Sequence, residues 1–229
     1  MKKKLFLLVA FWVVTPGVKA QGNFINLGFE SADLVPVPQG QFGDRVPTSQ
    51  ALPGWSAYVG PLQLNSVLHN NFTVGGVNIS IFGPNWANRS IIEGQYTVLL
   101  QAGTMNESAS VSQNGLIPIG SRTLQFKAAG LSDAFTTDFS VSFTGQPLSF
   151  IPLSTGPNYT LYGADISAFS GQTGDLRFTA LGSSSHPNNL LLDSISFSTI
   201  SVPEPSALGL FALGGLLLGF SRWRSSLRK

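Results

Sequence analysis

Between residues 21 and 200 the chain alternates apolar and polar residues in short runs, and glycine, proline, asparagine and serine separate the runs. Asp138 to Thr144 (DFSVSFT) puts Phe139, Val141 and Phe143 on one face. Thr123 to Ala128 does the same with Leu124, Phe126 and Ala128, and Asp175 to Leu181 with Leu176, Phe178 and Ala180. Successive side chains of a strand point to opposite faces, so a period of two marks a half-buried strand. The same reading predicts strands over Val77–Phe82, Gln95–Gln101, Ala109–Gln113, Leu148–Leu153, Tyr159–Asp165 and Leu190–Thr199. The punctuating residues are those that turns require. No stretch in this section holds a helical period beyond a turn or two. The expectation is an all-β fold in which two antiparallel sheets pack as a sandwich.

About 180 residues are enough for one domain with one core. Cysteine is absent. Disulfides, thiol nucleophiles and cysteine metal sites are therefore excluded, and burial alone must hold the core. The formal charge of +2 is misleading. Residues 21–200 contain five basic and ten acidic side chains, a net charge of −5, because most of the lysines and arginines sit at the two ends. Nucleic-acid binding needs a basic face to neutralise phosphates. This section has none.

The N-terminal end reads MKKKLFLLVAFWVVTPGVKA. Three lysines precede an apolar run from Leu5 to Val14, and small residues close the segment at Val18 and Ala20. That layout predicts a secretory signal peptide over 1–20, cut after Ala20. The apolar run is about half of the roughly 20 residues that span a bilayer.

One strand breaks the pattern. In Leu190 to Ile200 (LLLDSISFSTI), strict alternation puts Asp193 on one face with Leu191, Ile195 and Phe197. A bare buried carboxylate costs several kcal/mol, so it must be hydrogen-bonded, bound to a cation or close to the strand's open end. A second isolated acid, Glu30, lies in NLGFES near the start of the section.

Taken together, several short motifs resemble those of the galactose-binding-like jelly rolls, the sandwich of many carbohydrate-binding modules. The pieces are Asn26, Gly28, Phe29 and Glu30 (NLGFE), the Gly54-Trp55 turn, Gly94 to Leu100 (GQYTVLL) and Leu192 to Phe197 (LDSISF), in that order. The resemblance implies a jelly-roll domain over 21–200. It also implies a structural calcium between the positions of Glu30 and Asp193, since oxygen ligands suit that hard cation. The alternative is that each carboxylate is hydrogen-bonded to the backbone or a nearby hydroxyl.

Glycan contact would need aromatic rings at the surface. Trp55, Tyr58, Phe72 and Trp86 lie among Asn and Gly in turn-like surroundings, and Trp55, Tyr58 and Trp86 are the candidate glycan-binding residues. The competing reading is that such rings cover the edge of the core. Fold similarity does not by itself confer function. Catalytic motifs are missing: His69 and His186 stand far apart, and there is no H-E-x-x-H pair, G-x-S-x-G elbow or phosphate loop. Five N-x-[ST] sequons, starting at Asn71, Asn78, Asn88, Asn106 and Asn158, fit an Asn/Ser/Thr-rich surface.

The other end is VPEPSALGLFALGGLLLGFSRWRSSLRK. Ala207 to Phe220 is fourteen residues without a charge, followed by Arg222, Arg224, Arg228 and Lys229. With its flanks, the stretch approaches the shorter end of what spans a bilayer, and the basic cluster would hold its far side in the cytoplasm. A C-terminal transmembrane helix is expected. Pro203-Glu204-Pro205, the apolar stretch and the cations together resemble the PEP-CTERM sorting signal of Gram-negative bacteria. That resemblance implies processing by an exosortase at or near the motif, and residues 201–229 would then be an address label outside the folded unit.

The expected protein is exported, anchored in the inner membrane and then sorted to the cell surface or the exopolysaccharide matrix. A non-catalytic role with glycan contact leads; an enzyme acting on extracellular polysaccharide and a ligand-free structural matrix protein are the alternatives.

Overall fold

The computed structural model describes residues 23–86, 91–131, 138–184 and 188–202. The signal segment with Ala20, the tail from Pro203 to Lys229, and His186 lie outside them. Among the described residues no helix is long and apolar enough to cross a membrane.

All nine expected strands are present: β5 (Asn78–Phe82), β6 (Thr97–Ala102), β7 (Ala109–Leu116), β8 (Thr123–Gly130), β9 (Phe139–Phe143), β11 (Phe150–Thr155), β12 (Thr160–Asp165), β13 (Thr173–Ala180) and β14 (Asn188–Ser198). Five shorter ones join them: β1 (Arg45–Pro47), β2 (Ser56–Val59), β3 (Leu62–Leu64), β4 (Ser66–His69) and β10 (Gln146–Leu148). A single helical turn, α1 (Thr48–Ala51), follows β1. An eight-stranded sheet runs β1-β4-β5-β6-β14-β8-β12-β11, and a six-stranded sheet runs β10-β9-β13-β7-β2-β3. Every named pair is antiparallel except β4–β5. The fold is the two-sheet sandwich that the alternation predicts.

The core lies between the sheets. The six-stranded sheet contributes Ala57, Val111, Val141, Phe143, Leu176 and Phe178, and the eight-stranded sheet Ile79, Ile81, Val98, Leu100, Leu124, Phe126, Leu190 and Leu192. A second, smaller cluster of Phe82, Ile92, Leu99 and Leu191 covers the outer face of the larger sheet. Burial on both faces explains why β5 and β6 are buried at every position and why β14 opens on a leucine run without alternation.

Strand β14 corrects the parity read from the sequence. Leu190 and Leu192 face the main core while Leu191 belongs to the outer cluster. Between Asp193 and Ser196 the register against β8 slips by one residue, and Ser194 has φ 49°. This bulge turns Ile195 and Phe197 back toward the core. Asp193 therefore shares a face with Leu191 and not with Ile195 or Phe197.

The two ends of the sandwich differ. At one pole the loops β6–β7, β8–β9 and β13–β14 meet: the Ser183 amide donates to the Gly103 carbonyl (3.4 Å) and the Leu181 amide to that of Asp138 (2.9 Å). At the opposite pole both ends of the described chain emerge. Asn23 bridges to Leu116 at the end of β7, and the Phe24 and Phe197 rings lie 5.3 Å apart. There too, Thr123 Oγ1 donates to the Ile200 carbonyl (2.5 Å) and Arg122 Nη1 to Ser201 Oγ (3.2 Å).

Candidate functional site

Glu30 and Asp193 meet at one turn, residues 92–97. The exposed Glu30 carboxylate accepts the Gln95 amide on both oxygens (3.0 Å each) and the Tyr96 amide on Oε1 (3.1 Å). Asp193, 1 % exposed, accepts the Glu93 amide (3.2 Å) and the Thr97 hydroxyl (2.7 Å) on Oδ2, and the Ser194 amide (2.7 Å) on Oδ1. Thr97 Oγ1 in turn accepts the Ile92 amide (2.9 Å). Gly94 makes the approach feasible: its φ is +62°, and a Cβ there would overlap the Glu30 carboxylate. Two acids distant in sequence thus clamp one turn through its amides.

This donor set does not fit calcium. A calcium ion takes six to eight oxygen ligands, and N–H groups aimed at the carboxylates present positive charge where the ion would sit. Among the described residues no three His, Asp or Glu side chains converge. A further acid of the same turn, Glu93, is engaged in its own contacts, pairing with Lys127 Nζ (2.8 Å) and accepting the Ser194 hydroxyl. The hydrogen bond from Lys127 is the main cause that pulls its pKa down.

Burial pushes the Asp193 carboxyl up to about 7, against the pull of its three hydrogen bonds. An unfolded Asp titrates near 3.9, so between about pH 4 and 7 the folded state holds this proton more tightly than the unfolded chain. The stability it contributes is complete below that window and is lost as pH rises through it. His69, pushed down by burial, works in the opposite sense. Subtracting the urea-midpoint change of Asp193→Asn from that of the wild type isolates the Asp193 contribution. The wild type should lose more stability than the variant between pH 5 and 8; equal changes would refute the assignment.

The three candidate aromatic residues do not form one platform. Trp55 is a core residue, 5 % exposed, beside Phe29 (5.4 Å) and Phe178 (6.4 Å). Its indole N–H donates to the Asn26 carbonyl (3.0 Å). That hydrogen bond links the NLGFE segment to the Gly54-Trp55 turn and draws the ring inward, so Trp55 is not at the surface. Tyr58 lies on the outer face of the six-stranded sheet under the Arg177 guanidinium (4.4 Å), which also donates to Ser110, Ser112 and Asp175. Trp86 sits over the outer face of the other sheet, stacked on Phe82 (4.9 Å) with Phe72 and Phe42 at its edges. It covers the second cluster.

Among the described residues, the loop pole holds a shallow depression of about 650 Å³, broadly open to solvent. Phe139, Phe150, Tyr162 and Leu181 supply its apolar lining, and Asn106, Asp138, Ser183 and Ser184 its polar lining. The Phe139 and Phe150 rings stack at 4.7 Å, and Tyr162 meets each edge-on at 5.5 Å. Behind them the buried Asn188 amide donates to the carbonyls of Leu181 (3.0 Å) and Asp138. Gly182 lets the β13–β14 loop touch the backbone of Asn106, where a side chain would collide. Sequence reading passed over this group because Phe139, Phe150 and Tyr162 alternate like any core residue.

Beyond the last strand, residues 201–225 match the family described as "PEP-CTERM protein-sorting motif". No curated protein matches the chain. Among solved structures, TmCBM61 in complex with beta-1,4-galactotriose is similar at 11 % identity, over 78 % of this chain and 99 % of that one, with a TM-score of 0.39. The family 11 carbohydrate-binding module from Clostridium thermocellum, in complex with a beta-1,3-1,4-mixed-linked tetrasaccharide, is similar at 8 % identity, over 69 % and 96 %, with a TM-score of 0.36. The chain is an all-β sandwich that carries a PEP-CTERM protein-sorting motif, the signal of an exported protein, immediately after its last strand.

Proposed function

We propose that this is a non-catalytic protein of the cell surface or exopolysaccharide matrix, sorted by an exosortase and contacting glycans through its sandwich. The position of the motif carries the reading. Among the described residues, Arg122 and Thr123 tie the chain end to the fold through Ser201 and Ile200, and the motif match begins at residue 201. Proline disfavours helix and strand pairing, so Pro203 and Pro205 suit recognition in a groove, and Glu204 adds a charge that a groove can read. The apolar stretch after it would hold the chain in the inner membrane, with Arg222, Arg224, Arg228 and Lys229 as the stop on the cytoplasmic side.

Replacing Glu204 and Pro205 with alanine should leave a full-length, membrane-retained form in the native host. Size on a denaturing gel and the fraction released from membranes are the readouts. Unchanged size together with unchanged release would rule the sorting role out.

A further inference from the structure

We propose that, while the tail holds the chain in the inner membrane, the exit pole of the sandwich rests on the bilayer and places Ile119 and Ile200 among the lipid headgroups. The inference rests on the reading of the tail as a membrane anchor. It starts from chain length. Ser201 is tied to the fold by Arg122, and the apolar stretch begins at Ala207. The five residues between them reach about 18 Å at most. As a helix, the fourteen residues from Ala207 to Phe220 measure about 21 Å, against about 30 Å for the hydrocarbon core of a bilayer. With Arg222 and Arg224 kept at the cytoplasmic side, the shortfall of about 9 Å is drawn from those five residues. About 9 Å of reach is then left, not much more than the headgroup layer is thick. A bilayer thinned to match the helix leaves at most about 18 Å. In both cases the pole faces lipid at close range.

What the pole presents suits that neighbour. The β7–β8 loop carries Pro118, Ile119 and Gly120 at its tip, all exposed and uncharged, and Ile119 is 87 % exposed. The loop is fastened: the Gly120 amide donates to Ser170 Oγ (2.7 Å) and the Ser121 amide to the Pro118 carbonyl (3.1 Å). Ile200, 75 % exposed, stands beside the tether. Single exposed apolar side chains are ordinary on a protein surface; these two are set apart by standing where the tether brings them to lipid. Neither belongs to a core cluster, so folding does not account for them. Charge agrees. Arg122 and Asp165 share one shallow recess of the pole with the hydroxyls of Ser121, Ser167 and Ser170, which offers a zwitterionic headgroup a partner of each sign. Glu107 and Asp138, acids that anionic lipid would repel, stand at the opposite pole.

The chain contains no cysteine, so a single introduced cysteine takes a unique label. The full chain with Ile119→Cys, Ile200→Cys or Met105→Cys is produced in a bacterium that lacks an exosortase and labelled with a polarity-sensitive fluorophore. It is then reconstituted in vesicles of phosphatidylethanolamine and phosphatidylglycerol. Met105, 84 % exposed in the β6–β7 loop of the opposite pole, is the control. All three side chains are exposed, so each variant should melt in detergent as the wild type does. In vesicles, the labels replacing Ile119 and Ile200 should emit to the blue of the one replacing Met105. Lipid spin-labelled at the headgroup should quench them several-fold more. A chain that floats with the vesicles while all three labels stay equally aqueous would overturn the contact and leave the anchor standing. A chain that does not float with the vesicles would sink the contact and the anchor reading together.

Discussion

Gly94→Ala should melt about 10 °C below the wild type. A Cβ at φ +62° adds about 1–2 kcal/mol of backbone strain. It also lands on the Glu30 carboxylate, which must withdraw from the amides of Gln95 and Tyr96. Losing hydrogen bonds to a charged group costs about 1.5–3 kcal/mol more. The sum of about 3 kcal/mol corresponds to roughly 6–12 °C in a domain of this size. The two contributions separate in a double-mutant cycle. In a Glu30→Ala background, Gly94→Ala should cost only the backbone strain; equal costs in both backgrounds would dismiss the clamp. Calcium and excess chelator should each leave the wild-type melting temperature unmoved, since amides already occupy the carboxylates. A rise with calcium would show that the ion displaces them.

Trp55→Ala should be as damaging, at about 3–5 kcal/mol. The ring is packed against Phe29 and Phe178, and its N–H is the partner of the Asn26 carbonyl, so truncation leaves a cavity and an unpaired acceptor together. Tyr58→Ala, one strand residue beyond Ala57 but on the outer face, removes a half-buried ring from under Arg177 and should cost about 1 kcal/mol. Urea midpoints of the two variants test the contrast. Similar losses would mean that Trp55 carries no more of the core packing than Tyr58.

The contrast shows where sequence reading stopped. Period two announced β8, β9 and β13, each with one apolar face, whereas β5, β6 and the start of β14 are buried on both faces. The short strands β1 to β4 and β10 are three or four residues long, too few for a period to emerge from the turns around them. Asp193 was visible as an acid among leucines, but its face was misread. A bulge shifts parity by one residue, and here its left-handed position is Ser194, with no glycine to announce it. Its partners at Glu93 and Thr97 lie about a hundred residues away, and nothing local encodes that pairing. Trp55 illustrates the reverse error. A tryptophan beside a Pro-Gly turn looks exposed, yet the hydrogen bond that draws it inward goes to the Asn26 carbonyl, in another part of the chain. The loop-pole rings carry no local mark either, because an aromatic residue at the mouth of a sandwich obeys the same alternation as one at its centre.

The shared exit pole has a consequence for how the domain is made. Asn23 and Ser201 leave the sandwich at the same end, so a leader before one and a tail after the other would suspend the domain like a loop of cord pinned at two neighbouring points. The strands between can zip up without either pin having to travel around the body. Releasing one pin and then the other would change what the domain is tied to and leave its internal hydrogen bonds as they were.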